Sequence, residues 1–78
     1  MNSFQAMARI MAILCEDGRL RKGSKSYKIA RKLIAIKIDR MGPDAAYLKA
    51  KWNKYELLVE IEELQTAEKA GKILRNFV

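Results

Sequence analysis

The chain has 78 residues, half of them apolar, with 16 Lys and Arg against 9 Asp and Glu and no histidine. That apolar content at this charge excludes a disordered chain, and the length allows one small domain, 1–78, with a thin core. The single cysteine excludes an intramolecular disulfide and, with no histidine, a structural zinc site, so self-association is the stabilising device left to so short a chain.

The first helix is expected from Phe4 to about Cys15, with Ser3 as its cap. Phe4, Met7, Met11 and Leu14 recur at three- and four-residue steps and define its inward face, widened by Ile10 and Ile13. Glu16, Asp17 and Gly18 end it: acidic groups oppose the helix dipole at that end, and glycine takes the left-handed turn.

Residues 18–26 form a basic loop between Gly18 and Gly23. A second helix follows over 27–41, capped by Ser24 or Ser26, with Tyr27, Ala30, Leu33, Ile34, Ile38 and Met41 inward. Ile34 to Asp39 also alternates as a strand does, with a hairpin turn at Lys22-Gly23 as the corollary. Helix is preferred, because Ala30 to Ala35 is rich in helix formers and no third strand is evident to complete a sheet.

Gly42 and Pro43 separate this helix from a third, expected as one long rod over 44–70. Leu48, Trp52, Tyr55 and Val59 form one stripe, assigned to the core. Leu57, Ile61 and Leu64 point elsewhere, and a helix apolar on two sides must be covered on two sides. Tyr47, Leu57, Ile61 and Leu64 are therefore the expected interface with a second copy, in a two-fold homodimer. Gly71 should end the rod, and Ile73, Leu74, Phe77 and Val78 mark a docked tail. The expected fold is all-α, with three helices at about 4–15, 27–41 and 44–70.

Catalytic readings lack their parts. Without histidine there is no nucleophile–base pair and no ready acid/base at neutral pH. Cys15 reads as a small buried hydrophobe. Glu56, Glu60 and Glu63 share a face but lack the Glu-x-x-His partner of di-iron bundles. No enzyme, metal or cofactor is expected, and the aromatics Phe4, Trp52, Tyr55 and Phe77 read as core.

Charge is the strongest functional signal. Residues 1–40 carry ten basic and three acidic groups, residues 41–78 six of each, so the whole excess lies in the first half. Arg19, Arg21, Lys22, Lys25, Lys28, Arg31 and Lys32 place seven cations in fourteen residues without one acid. Such a stretch can track a phosphate backbone by releasing condensed counterions. The expected function is nucleic-acid binding by a small regulator. The alternative is a protein–protein module, an adaptor or inhibitor of the kind mobile elements encode, meeting another protein through the basic face, as on an acidic protein, or through the two-sided long helix. The longest pure apolar run, Ile10 to Cys15, is too short to span a bilayer, and the lone thiol suits a reducing, cytoplasmic setting.

Overall fold

The computed structural model describes residues 1–69, and they form four helices: α1 (Ser3–Cys15), α2 (Lys25–Met41), α3 (Pro43–Trp52) and α4 (Lys54–Lys69). The expectations for Gly71 and for the tail over 72–78, Phe77 included, lie outside the described residues.

Helix α1 begins one residue earlier than expected, because Asn2 rather than Ser3 caps it. The Asn2 side chain accepts from the Gln5 N–H at 2.8 Å, and the Gln5 side chain accepts from the Asn2 N–H at 3.0 Å. This reciprocal pair satisfies two end donors at once. The Gly18 N–H closes the turn on the Cys15 carbonyl with φ at +81°. Helix α2 starts at Lys25 with Ser24 as its cap, accepting from the Tyr27 N–H at 3.1 Å. Residues 34–38 are helical, as preferred over the strand reading. Gly42, at φ +89°, ends α2 through its N–H on the Ile38 carbonyl, and Pro43 opens α3.

The single long rod is not formed. It divides at Asn53, whose φ of −126° and ψ of 41° leave the helical region for one residue. Two short helices cover a small core better than one rod. Twenty-seven helical residues would run about 40 Å, longer than the 36 Å greatest extent of the molecule. Divided, the same stretch lays α3 chiefly against α1 and α4 chiefly against α2.

The core is aliphatic. Ala6, Ile10, Met11 and Leu14 of α1 meet Ile29, Ala30, Leu33, Ile34 and Ile38 of α2, together with Leu20 from the loop, Ala46 and Ala50 of α3, and Leu57 and Ile61 of α4. Among the described residues no polar or charged side chain is buried. Ala46 and Ala50 let α3 approach α1 closely, which a larger side chain would prevent.

This packing inverts the expected faces of the third helical stretch. Leu57 and Ile61, assigned to an interface between copies, are 1% and 2% exposed within the single chain. Tyr47 and Leu64 are half-buried against the same core. The stripe assigned to the core faces water instead: Leu48, Trp52, Tyr55 and Val59 are all exposed. Phe4 is also outside, at 84% exposed, since α1 turns Ala6 and Ile10 inward. Met41 is exposed at the end of α2.

Candidate nucleic-acid interface

The loop between α1 and α2 is held at three points. Leu20 is buried in the core, so the residues on either side of it must point outward. The Ser24 hydroxyl donates to the Arg21 carbonyl at 2.7 Å while accepting from Tyr27, so one side chain closes the loop and starts the helix. Gly23 supplies a positive φ of 84° in between. The result is a short, folded connector rather than a loose arm.

All seven cations assigned from the sequence are exposed: Arg19, Arg21 and Lys22 on the connector, and Lys25, Lys28, Arg31 and Lys32 on α2. With Ile29, Ala30, Leu33 and Ile34 turned into the core, 3.6 residues per turn leave Lys25, Lys28 and Lys32 as one outer ridge, with Arg31 toward α1. Among the described residues only Arg19 has an acidic neighbour, Asp17 at 3.9 Å; the other six form no ion pair. Helix α2 has no acidic residue in its first turn, and its positive dipole end lies where Lys25 and Lys28 sit. Charge of one sign is therefore concentrated where fold stability alone would favour the other.

Beside this ridge runs a groove of about 340 Å³ between α1 and the start of α2. Ala8, Met11, Ala12 and Tyr27 give it an apolar wall, and Lys22 and Arg31 stand on its rim. Cys15 lies in the same groove, half-buried rather than fully buried; burial pushes its thiol up, with Lys22 opposing the shift. A raised thiol is a weak nucleophile.

No protein-family model, curated protein or solved structure matches this chain.

Arg19 differs from the other six cations. Its guanidinium lies 5.1 Å from the centre of the Tyr55 ring, at the start of α4. Lys51 is placed similarly over Trp52 at 5.6 Å, and Lys54 over Tyr55 at 5.8 Å. Arg19 thus belongs to an aromatic corner and not to the α2 ridge. Sequence reasoning missed that corner, because Trp52 and Tyr55 looked like core residues. The opposing signal was present in Lys49, Lys51 and Lys54, which crowd the same turns with groups that must reach water.

Four of the described acidic residues are engaged elsewhere, among them Asp44 by the Met1 ammonium at 3.0 Å. Lys54 donates to Glu16 at 2.8 Å and pairs with Asp17 at 3.3 Å, while Lys37 pairs with Glu60 at 3.4 Å. Among the described residues no group of acids, cysteines or histidines could hold a metal ion. Nor is any described helix long and apolar enough to cross a membrane.

Proposed function

We propose that this chain is a non-enzymatic binding module that holds a nucleic-acid phosphate backbone along Lys25, Lys28, Arg31 and Lys32, with Arg21 and Lys22 extending the contact along the connector. One observation carries the reading: six of the seven exposed cations have no acidic partner among the described residues, and two of them, Lys25 and Lys28, stand in the first turn of α2, where the dipole already repels them. A phosphate backbone relieves that repulsion, and counterion release supplies the free energy. The cations contact phosphate rather than bases, so the module positions itself without reading sequence. It works as a homodimer in a cytoplasmic setting and regulates by occupancy.

Electrophoretic shifts with random duplex and single strands, repeated over a range of salt, test this. Log affinity falls linearly with log salt, each neutralised phosphate adding about 0.9 to the slope on duplex DNA. Replacing Lys25, Lys28 and Lys32 by Ala reduces the slope by roughly 2 to 3 with helicity unchanged. An unaltered slope removes the ridge from the mechanism.

A second reading is favoured by the groove between α1 and α2. An apolar wall rimmed by Lys22 and Arg31 suits an acidic amphipathic helix from another protein. It predicts a defined protein partner and no retention of generic nucleic acid at physiological salt.

A further inference from the structure

The exposed stripe on α3 and α4 is separate from the basic ridge, and its own chemistry points to its occupant. Leu48 and Trp52, one turn apart at the end of α3, and Tyr55 and Val59, one turn apart at the start of α4, are exposed on either side of the break at Asn53. Trp52 is 74% exposed, and Lys49 and Tyr55, three residues to either side of it, line a groove of about 520 Å³ together with Val59. Glu56, Glu60 and Glu63 line that groove with Lys49 and Lys37. Lys37 is engaged by Glu60, whereas Glu56 and Glu63 have no ion-pair partner among the described residues. Lys51, carried over the Trp52 ring, likewise forms no ion pair there.

The stripe therefore holds an exposed indole with a cation upon it, near a groove in which Tyr55 and Val59 lie among three glutamates and two lysines, with Glu56 and Glu63 outside any ion pair among the described residues. Lys51 on this knob is opposite in charge to Glu56 and Glu63 of the groove, whose other acid, Glu60, is already held by Lys37. That is the requirement for a self-complementary patch about a two-fold axis, where each residue meets on the partner what the partner's copy meets on it.

We propose that a second copy of this chain covers the stripe. In this arrangement Trp52 of each protomer seats in the other's groove against Tyr55 and Val59, and Lys51 is delivered to Glu56 and Glu63. A groove of this volume accommodates an indole, and a Trp anchor inserted into a pocket is the residue type that dominates interface energetics. An acidic or a basic foreign partner fits less well, because the stripe carries both signs.

Sedimentation velocity over a dilution series tests the pairing, with Trp52 emission as the second readout; it is the sole tryptophan and reports this spot alone. The wild type runs as a dimer whose emission shifts to the red on dilution. Trp52→Ala weakens the pairing roughly a hundredfold, and Phe4→Ala, altering the exposed ring on α1, leaves it unchanged. Lys51→Glu weakens it roughly tenfold, and adding Glu56→Lys and Glu63→Lys to the same chain restores it. Far-ultraviolet circular dichroism confirms that each variant is helical. A monomer at all concentrations overturns the proposal, as does a dimer indifferent to Trp52→Ala. A monomer whose emission is blue-shifted and independent of dilution also overturns it, by placing a segment of the chain itself on the stripe.

Discussion

The ammonium of Lys54 lies 2.8 Å from Glu16 Oε1 and 3.3 Å from Asp17 Oδ2, joining the first residue of α4 to the end of α1. The hydrogen bond to Glu16 is the main influence holding the Lys54 pKa above its ordinary value, against the opposing effect of burial. At Asp17 burial pushes the carboxyl up, but the Arg19 N–H and Lys54 together outweigh it and hold the pKa below the usual carboxylate value. The two shifts act at opposite ends of the pH scale. A depressed carboxyl stabilises the fold above its unfolded pKa near 4, and that contribution is lost as pH falls through the lower folded value. A raised ammonium stabilises below about 10.4, and that contribution is lost as pH climbs through the higher folded value. Thermal melts of the wild type and Lys54→Met across pH should show the wild type's advantage at neutral pH shrinking at both extremes. A constant difference at every pH would contradict the clamp.

Substituting Lys25 separates fold stability from binding. It stands at the first position of α2, where a cation meets the positive end of the helix dipole. Lys25→Glu should stabilise the fold by about 0.3–1 kcal/mol, a rise in Tm of a few degrees for a domain this size. The same change should weaken polyanion binding and lower its salt slope. Calorimetry and salt titration on one variant check both.

Leu57 and Val59 stand two residues apart on opposite sides of α4. Leu57 is among the most completely enclosed side chains of the chain, while Val59 is 53% exposed. Leu57→Ala should cost about 2–5 kcal/mol in chemical denaturation. Val59→Ala should stay within about 0.5 kcal/mol for the monomer. Equal costs would mean the inward face of α4 is misassigned.

Gly42 permits the turn from α2 to α3. A Cβ there would meet nothing within 4 Å, so any penalty is conformational rather than steric. At φ +89° an L-residue is strained, and Gly42→Ala should lose about 1 kcal/mol or more. Unchanged stability would show that the turn relaxes.

The helical class, the joint at Gly42-Pro43 and the basic connector were legible in the sequence because each rests on a local rule. A run of cations cannot be buried, so its exposure follows from composition alone. The faces of α3 and α4 were not legible, because two apolar stripes compete there and the bulkier one attracts assignment to the core. What decides between them is the neighbour each helix meets, α1 for α3 and α2 for α4. Ala46 and Ala50 allow close approach, and Leu57 and Ile61 continue the same side into α4. Leu48 and Trp52, on the opposite side of α3 from Ala46 and Ala50, and Tyr55 and Val59, on the opposite side of α4 from Leu57 and Ile61, face away. The division at Asn53 carries no Gly or Pro to announce it. It arises from the size of the core, a property of the assembled fold rather than of any one segment.

An interior of aliphatic side chains and the Met11 thioether, with no buried polar side chain among the described residues, has no directional bonds with which to distinguish one helix register from its neighbours. The address of α4 must then be written at the perimeter, where Lys54 holds Glu16 and Asp17, Lys37 holds Glu60, and the Ser26 hydroxyl donates to Gln65. Stripping those three ties together should leave a chain that remains helical and collapsed while its fourth helix slides among alternative seats, with broadened methyl resonances as the signature.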